Sequence, residues 1–388
     1  MLSGENIVCF AKEWDEAPTS NNHVMRALAR QNSVLWLNSI GTRPPDLASG
    51  VDRGRLLRKV ASAFRKPQAV DDNLWVYSPI VLPLPHSRLA TLVNRPILRH
   101  CLRLARRTLA MGQFQLWVFL PTAVSYVGTL GESLLVYYCV DEWSQLPRVD
   151  SKRMLQMERQ LCERADIVFT TSRVLHERRR VWNPETHFAP HGVDQSHFAA
   201  ALLDGLPPAA GLSSAPWPIL GFFGLVAEWV DLDLLAYLAE RRPAWTIAIV
   251  GKIVVDVSRL EGFGNIKLLG PRPYRDLPRY CKAFSVGLIP YLVNERSPSI
   301  NPTKLREYLS AGLPVVSTPL PEVSAYGDHC SIARTHQEFE QAVEMALHSD
   351  TPERRRARSE AMRSETWENR VEAVSRKVAR VMAAKHAR

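Results

Sequence analysis

The chain alternates short apolar extended runs with helical stretches, and it does so in two successive series. This alternation predicts parallel sheets, because a strand can return to the same edge of a sheet only through a crossover that is usually a helix. In the first series we predict strands at 6–11, 34–38, 74–77, 116–120, 134–140 and 167–171. In the second series we predict strands at 218–223, 245–250, 266–268, 285–289 and 314–317. The expected fold class is α/β, with two Rossmann-like, doubly wound domains facing a cleft.

Helices are predicted between these strands, and a linker separates the two series. The helices are expected at 23–30, 87–111 (with a break at Pro96), 123–129, 151–164, 231–240, 274–283 and 303–311. The segment 203–216 is rich in Pro, Gly and Ser, as linkers are. A chain of 388 residues is long enough for two cores. We therefore predict domains at 1–203 and 204–366, followed by a C-terminal helix at 367–388.

The composition is that of a soluble globular protein, with 46% apolar and 23% charged residues. No apolar run reaches the roughly 18 residues of a membrane span, and the first residues lack the pattern of a signal peptide. The six cysteines are scattered without a Cys-x-x-Cys pair, which argues against a disulfide framework and against structural zinc. We expect a cytoplasmic protein.

The net charge of +10 is concentrated between residues 43 and 107, where 13 Lys or Arg stand against 4 Asp or Glu. A basic region of this kind suits nucleic acid, an anionic membrane or an acidic substrate. No nucleic-acid-binding motif accompanies it, so we do not expect nucleic acid as a partner. Within it, residues 82–111 mix leucines with arginines, which indicates docking on an anionic membrane surface. A core-facing helix with a solvated basic face explains the same pattern.

The segment Asn301–Thr318 combines a polar loop, a helix start and a buried strand. Thr303 and Lys304 fall at the helix N-terminus, where backbone N–H groups and the helix dipole favour a diphosphate. Glu307, one turn later, is placed to accept hydrogen bonds from two ribose hydroxyls. The alternative is an ordinary packing helix on which Lys304 and Glu307 form a solvated pair.

From Glu307 to Val316 the sequence resembles the nucleotide-sugar signature of GT-B glycosyltransferases of group 1. Many retaining members carry a second Glu eight positions upstream, where this chain has Ser299. This departure favours an inverting enzyme. In this respect the chain is similar to glycosyltransferases of the teichuronic-acid and exopolysaccharide type, including the xanthan glucuronosyltransferase type. The resemblance implies a nucleotide-sugar donor, no metal, no cofactor, and a C-terminal helix that crosses back to the first domain.

Two glycine-containing loops of the second series are further candidates for donor binding. Gly221 and Gly224 stand where the first strand of that series meets its loop, and such glycines let a phosphate approach the backbone. The resemblance places the nucleobase, with uracil favoured, at the loop that holds Arg272 and Tyr274. An ordinary strand-to-loop junction and an ordinary turn explain these loops as well. The predicted donor-binding residues are Gly221, Gly224, Arg272, Tyr274, Ser299, Asn301, Thr303, Lys304 and Glu307.

Two carboxylates, Asp141 and Glu142, directly follow the apolar strand predicted at 134–140. The end of a strand in a doubly wound sheet opens on the ligand crevice, where a carboxylate can take a proton from an attacking hydroxyl. A helix cap explains Asp141 equally well. The resemblance to the xanthan glucuronosyltransferase type implies that Asp141 is the catalytic base.

Further residues are assigned to the acceptor side or to the cleft. Trp14 and His23 follow the first strand and Glu142 follows Asp141, while His191 belongs to a His-Gly-Val-Asp element that resembles the end of the first GT-B domain. A cap near Ser20 explains part of the first group. The pair Asp231 and Asp233 resembles a metal-binding Asp-x-Asp, but it opens a helix, where the dipole explains two acids.

The sequence thus predicts a peripheral-membrane glycosyltransferase that transfers a sugar from a nucleotide diphosphate to a lipid-linked or saccharide acceptor. A retaining transferase, a nucleotide-sugar epimerase on the same fold, and a non-catalytic nucleotide- or lipid-binding assembly protein stay as alternatives.

Overall fold

The computed structural model describes residues 2–39, 66–79, 81–82, 84, 87–147 and 149–387. The part of the basic region from residue 43 to 65 lies outside these described residues. The chain divides into two compact units, Met1–Pro190 with Arg370–Arg388, and His191–Asn369. The division falls after Pro190, so the segment 203–216 lies within the second unit.

The first unit is built on one sheet with eight described strands in the order β3-β4-β2-β1-β5-β6-β7-β8. All neighbouring strands pair in parallel except β3 and β4. The strands are β1 (Asn6–Phe10), β2 (Ser33–Leu37), β3 (Gln68–Asp71), β4 (Leu74–Tyr77), β5 (Gln115–Val118), β6 (Leu134–Cys139), β7 (Ile167–Thr170) and β8 (Thr186–Phe188). Most are nearly continuous apolar runs, as expected of parallel strands covered on both faces.

The helices of the first unit connect these strands and supply its core. They are α1 (Ser20–Ala29), α2 (Arg88–Thr108), α3 (Ser151–Arg164) and α4 (Arg173–Arg179). Short 3₁₀ turns follow β5 at Pro121–Ser125 and β6 at Trp143–Gln145. None of the helices in the described part of the chain is both long and apolar enough to cross a bilayer.

The second unit has a parallel sheet with six described strands in the order β11-β10-β9-β12-β13-β14. The strands are β9 (Ile219–Phe223), β10 (Thr246–Val250), β11 (Ile266–Gly270), β12 (Val286–Ile289), β13 (Val315–Ser317) and β14 (Cys330–Ile332). The helices are α5 (Gln195–Ala199), α6 (Leu232–Arg241), α7 (Leu277–Ala283), α8 (Thr303–Ser310), α9 (Pro321–Ser324), α10 (His336–Ser349) and α11 (Pro352–Ala361). The last helix, α12 (Trp367–His386), begins in this unit and belongs to the first unit from Arg370 onward.

Within the first unit, the end of α12 is held by charged pairs. Lys385 Nζ lies 2.8 Å from both carboxylate oxygens of Asp166, and Arg380 pairs with Glu185. Val371, Val374 and Val378 of the same helix are buried. Apolar packing and ion pairs therefore both attach this helix to the first unit.

Three sequence-based expectations differ from the structure. Helix α2 continues through Pro96, which lies on its exposed face, although proline cannot donate the intrahelical hydrogen bond to residue 92. The predicted helix at 123–129 is a 3₁₀ turn, Pro121–Ser125. The strands β3, β8 and β14 were not predicted, and all three lie at sheet edges, where strands are short and bury little surface.

Candidate functional site

In the sheet of the second unit, successive strands are added first on one side of β9 and then on the other. From β9 the chain adds β10 and β11 on one side, and it then crosses to place β12 on the other side. The loops that leave β9 and β12 therefore diverge at the carboxyl edge of the sheet. In open α/β sheets this topological switch point is the place where ligands bind.

Lys304, in the first turn of α8, lies at this switch point. Its ammonium donates a hydrogen bond to the hydroxyl of Tyr291, which follows β12, and lies 4.9 Å from the centre of that ring. The ring of Phe222, in β9, is 5.3 Å away. None of the described carboxylates forms an ion pair with Lys304. The cation is thus surrounded by neutral groups, an arrangement that can bind an anion without first breaking a salt bridge.

The helix N-terminus adds to the positive potential at Lys304. Helix α8 begins after Pro302, and none of the described side chains caps its first turn. Its first backbone N–H groups have no partner within the helix, and the helix dipole places partial positive charge there. Gly224, in the left-handed region at φ 132°, leaves room for the lysine: a Cβ at this residue would lie 3.3 Å from Lys304 Cε and Nζ.

Glu307 lies one turn further along α8 and is partly exposed. Burial raises the pKa of its carboxyl to about 7, and the charge of Lys304 acts in the opposite direction. A carboxyl group whose pKa is raised by desolvation is typical of functional sites. Near neutral pH this group can change between a hydrogen-bond donor and a pure acceptor.

Tyr308, on the buried side of α8, fixes the end of β9. Its hydroxyl accepts a hydrogen bond from Phe223 N at 3.0 Å and donates to Gly221 O at 3.3 Å. The predicted donor residue Gly221 lies inside β9 with the ring of Phe284 over it, and a Cβ there would come within 2.0 Å of this ring. Packing alone therefore requires a glycine at this position.

The other predicted donor residues near α8 have different surroundings. Asn301 is buried and accepts a hydrogen bond from Arg306 Nη1 at 2.9 Å. Ser299 is buried, and its hydroxyl has no hydrogen-bond partner among the described residues. Thr303, the first residue of α8, is partly exposed.

The predicted nucleobase loop follows β11. Arg272 is exposed, whereas the ring of Tyr274 stacks on His197 with a centroid distance of 4.8 Å. His197 Nε2 lies 3.0 Å from Tyr274 O, and Phe198 packs edge-on against the same tyrosine. Tyr274 thus contributes to an aromatic cluster with α5.

In the first unit, Asp141 follows β6 at the carboxyl edge of the sheet and is partly exposed. Its Oδ1 accepts a hydrogen bond from Glu142 N at 2.8 Å. This bond goes to the neighbouring residue and not to the N–H groups of the following 3₁₀ turn, whose N-cap residue is Glu142. It occupies one of the two carboxylate oxygens and orients the group, which is compatible with both interpretations.

Glu142 belongs to a buried ion cluster. Arg179 donates from Nη2 to Glu142 at 2.7 Å and to Glu158 at 2.7 Å, and all three side chains are at most 2% exposed. Burial alone would raise the pKa of Glu142, but the hydrogen bonds and charge of Arg179, with Ser144 and Arg178, bring that pKa below its usual value. For Glu158 burial outweighs Arg179, so the pKa is raised. Glu142 is engaged in holding β6 to α4.

The remaining predicted cleft residues lie in separate places. Trp14 donates its backbone N–H to Asn38 at 2.9 Å, packs edge-on against Trp36 at 5.0 Å, and has Arg26 over its ring at 5.1 Å. His23 lies in the first turn of α1, which Thr19 caps rather than Ser20.

His191 belongs to the second unit, where it is buried and packs edge-on against Trp367. The following Gly192 approaches that residue so closely that a Cβ would lie 2.7 Å from its backbone N. The acidic pair at the start of α6 has structural contacts: Asp231 caps the helix through Leu234 N at 2.8 Å, and Asp233 pairs with Arg259 at 2.7 Å.

Sequence reasoning missed Tyr291, Phe222 and Tyr308 in the second unit, and Arg179 and Glu158 in the first. Tyr291 was recognisable in principle as a polar aromatic residue just beyond a buried strand. The decision required the strand order, because only the adjacency of β12 and β9 brings Tyr291 to the switch point. Arg179 gave no local signal, since it stands among three consecutive arginines.

Comparison with known proteins supports the motif in the second unit. Residues 232–376 match the family model described as glycosyl transferase-like. The protein TuaH of Bacillus subtilis (strain 168), named as a teichuronic acid biosynthesis glycosyltransferase, is 28% identical over 206 residues, which are 49% of this chain and 51% of TuaH. The chain therefore matches about half the length of this curated relative.

Solved structures share the architecture along nearly the whole chain at low sequence identity. Sucrose-phosphate synthase of Thermosynechococcus elongatus matches with a TM-score of 0.69 and 15% identity over 98% of this chain and 100% of that one. Trehalose 6-phosphate synthase of Burkholderia multivorans matches with a TM-score of 0.66 and 14% identity over 99% of this chain and 100% of that one. HepE of Anabaena, in complex with UDP and glucose, matches with a TM-score of 0.65 and 14% identity over 97% of this chain and 99% of that one.

The fold is that of the GT-B glycosyltransferases, with two Rossmann-like units. The match to the glycosyl transferase-like model over residues 232–376 and the likeness to TuaH confirm the resemblance that the Glu307–Val316 motif indicated.

Proposed function

We propose that this protein is a glycosyltransferase that transfers a sugar from a UDP-linked donor to a hydroxyl group of a lipid-linked or saccharide acceptor. One observation carries the proposal: Lys304 stands at the switch point of the second unit, at a helix N-terminus, with only neutral partners. The direct contacts of this cation are a hydroxyl and two aromatic rings, and the carboxyl group whose pKa it lowers, Glu307, is itself placed for ribose on the same helix.

The donor is held by its diphosphate and its ribose. Lys304 and the first N–H groups of α8 bind the diphosphate, and Glu307 accepts hydrogen bonds from the ribose hydroxyls. HepE, which has the same fold, has been solved in complex with UDP, and this supports uracil as the base. We propose that charge on the departing diphosphate is met by these groups, without a metal or a cofactor.

The proposed reaction inverts the configuration of the sugar. Asp141 takes the proton of the acceptor hydroxyl while the hydroxyl oxygen forms a bond to the anomeric carbon. The bond from that carbon to the diphosphate breaks, and UDP leaves with the electron pair. Ser299 supports this direction, since retaining relatives carry a Glu at the matching position.

The acceptor and the setting follow from chemistry and from the relative. TuaH is named for the biosynthesis of teichuronic acid, which supports a role in cell-surface or exopolysaccharide synthesis. We propose that the enzyme works in the cytoplasm, on the inner face of the cytoplasmic membrane, where such acceptors are carried on lipids.

Donor binding is tested by titrating UDP into wild type and into Lys304→Met, with calorimetry as the measurement. Loss of charge-assisted hydrogen bonds to phosphate should weaken binding by about 10- to 100-fold. The matched control is Lys267→Met, which removes a lysine from the edge strand β11 of the same unit and should leave UDP affinity unchanged. Equal affinity of Lys304→Met and wild type would refute the donor site.

The catalytic assignment is tested with Asp141→Asn. Turnover should fall by at least about 100-fold while UDP affinity is retained, because a general base contributes on the order of 100- to 10,000-fold. The anomeric configuration of the product, read by NMR, separates inverting from retaining transfer. Release of an altered nucleotide sugar without an acceptor would instead indicate an epimerase, and UDP binding without turnover across donors and acceptors would indicate an assembly protein.

A further inference from the structure

Helix α2 exposes large apolar side chains that the core of the first unit does not use. Its buried stripe consists of Ala90, Asn94, Leu98, Leu102 and Ala105. On the opposite face, Leu89, Leu92 and Val93 are 77%, 62% and 49% exposed. An ordinary amphipathic helix turns its leucines inward and places polar residues here. The exposed leucines therefore need an explanation outside this unit's core.

A buried asparagine extends this apolar face. Asn94 Oδ1 accepts a hydrogen bond from Leu82 N at 2.7 Å. Its Nδ2 donates to Leu82 O at 3.0 Å and to the hydroxyl of Tyr126 at 3.1 Å. This double contact fixes the backbone of Leu82 against the helix. Leu82 and Leu84 are 48% and 44% exposed.

We call Leu82, Leu84, Leu89, Leu92 and Val93 the α2 patch. All five are large aliphatic residues on the N-terminal half of α2 or on the segment that Asn94 fixes to it. Two hydrogen bonds from the buried Asn94 hold the backbone of Leu82 beside the exposed leucines of the helix. The patch is a formed surface, and its members are not scattered single residues.

The second half of the same exposed face is basic. Arg99, Arg103 and Arg107 are exposed there, and Arg88 is exposed at the helix start. Arg99 is oriented by a bond from its Nε to Thr129 O at 2.7 Å. The sequence from Asn73 to Gly131 contains no Asp or Glu. Along α2 the surface thus changes from apolar to cationic, with no acidic side chain from this stretch to compensate it.

We propose that the α2 patch docks on an anionic lipid bilayer. The five aliphatic side chains enter the boundary between headgroups and acyl chains, about 5 to 10 Å deep, and the arginines of the second half contact lipid phosphates. Together, an apolar insertion and a basic surface give stable binding where either one alone is marginal. A bilayer is favoured over a second copy of this chain, because two such faces would bring their arginines together.

The inference deepens the proposed function and rests on it only for its purpose, since a lipid-linked acceptor lies in such a bilayer. The two can fail separately. UDP affinity reports on the second unit, and vesicle binding reports on α2 in the first unit.

The test is co-sedimentation of the full chain with vesicles of phosphatidylcholine, with and without phosphatidylglycerol. Wild type should bind the anionic vesicles, and binding should weaken with added salt. The triple variant Leu89→Ser, Leu92→Ser, Val93→Ser should bind at least about tenfold more weakly. The double variant Arg103→Gln, Arg107→Gln should lose roughly fivefold in affinity for each arginine and depend less on the anionic lipid.

The matched control is Val181→Ser, Leu203→Ser, Met345→Ser, which removes three aliphatic side chains that are 79%, 63% and 70% exposed elsewhere on the chain. It should sediment as wild type does. All variants should keep the wild-type circular dichroism spectrum and urea midpoint, which shows that they are folded. The proposal is overturned if wild type does not bind anionic vesicles or if it binds neutral vesicles equally well. It is also overturned if the triple variant binds as wild type does, or converts a dimer in solution to a monomer, since the face is then an interface between copies.

Discussion

The carboxyl edges of the two sheets carry charge in opposite ways. At the edge of the second unit, Lys304 is surrounded by a hydroxyl and two aromatic rings, and Glu307 has a pKa raised to about 7. Near the edge of the first unit, Glu142 and Glu158 share Arg179 in a closed cluster. In the first arrangement the cation has only neutral direct contacts, and in the second the opposite charges are paired with each other.

This difference separates charges that serve binding from charges that serve folding. A buried charge is stable only when it is paired, so the cluster of Glu142, Glu158 and Arg179 keeps β6, α3 and α4 together. A cation that faces only neutral groups gains most when an anion arrives. By this criterion Glu142 serves packing, and the catalytic role proposed for Asp141, which is partly exposed, stays a prediction.

The largest expected effect comes from opening the closed cluster. Arg179→Met should lower the free energy of unfolding by about 3 to 5 kcal/mol, because it leaves the buried Glu158 without a cation and Glu142 with only the half-exposed Arg178. Urea denaturation followed by circular dichroism measures this loss. Arg178→Met, at a residue that is 46% exposed and bonds the same Glu142, is the control and should cost at most about 1 kcal/mol.

Removing both carboxylates as well should reverse most of that loss. The triple variant Arg179→Met, Glu142→Gln, Glu158→Gln has no buried charge left in the cluster, and we expect it to be more stable than Arg179→Met alone. If Arg179→Met is as stable as Arg178→Met, the cluster does not hold the first unit together and the comparison fails.

The next effect concerns Glu307 and stability. Its folded pKa of about 7 is above the usual 4.5, so the folded state takes up a proton more readily than the unfolded state. The associated stability is fully present below about pH 4.5 and is lost as the pH rises through about 7. Glu307→Gln should therefore stabilise the protein by about 1 to 3 kcal/mol near pH 8 and have little effect near pH 4. Urea denaturation at both pH values measures this difference.

The same substitution should also weaken the binding of UDP. Wild-type UDP affinity should increase as the pH rises through about 7, since the carboxylate accepts hydrogen bonds from ribose hydroxyls better than the acid does. The terminal phosphate of UDP also titrates, at about pH 6, as phosphate esters do. Glu307→Gln isolates that phosphate contribution, and an unchanged pH profile in the variant would rule out the ribose role.

The smallest expected effect is that of Tyr291→Phe. The variant keeps the ring and removes only the hydroxyl that accepts from Lys304, so UDP affinity should change by about fivefold, the equivalent of one hydrogen bond of about 1 kcal/mol. Calorimetry measures it. Tyr308→Phe is the contrasting variant: it removes the acceptor for Phe223 N and should reduce stability by about 1 to 2 kcal/mol, with a smaller effect on UDP affinity than Tyr291→Phe.

How far the fold was predictable depended on burial. The central strands, such as β1, β6 and β9, are long apolar runs, and such runs were predicted to within one or two residues of their observed ends. Strand β3 is exposed at all four positions, and β14 has only three residues. Edge strands of this kind form because a neighbour offers hydrogen bonds, which no local pattern reports.

The candidate site was predictable in its charges and not in its partners. Lys304 and Glu307 follow from the helix-start motif, because their spacing is local. Tyr291 lies far enough away in sequence that only the order of strands brings it to Lys304. The interpretation of Pro96 as a break was wrong, since α2 runs from Arg88 to Thr108 with Pro96 inside it.

By itself, the sequence determined the two α/β series, the helix-start motif with Lys304 and Glu307, and the resemblance to GT-B glycosyltransferases, because all of these depend on local spacing and apolar periodicity. The tertiary structure decided which charges are compensated. It enclosed Glu142 with Arg179, left Lys304 among neutral groups, and fixed five aliphatic side chains of the α2 patch at the surface. Compensation and exposure depend on neighbours that are distant in sequence, and only the folded chain brings those neighbours together.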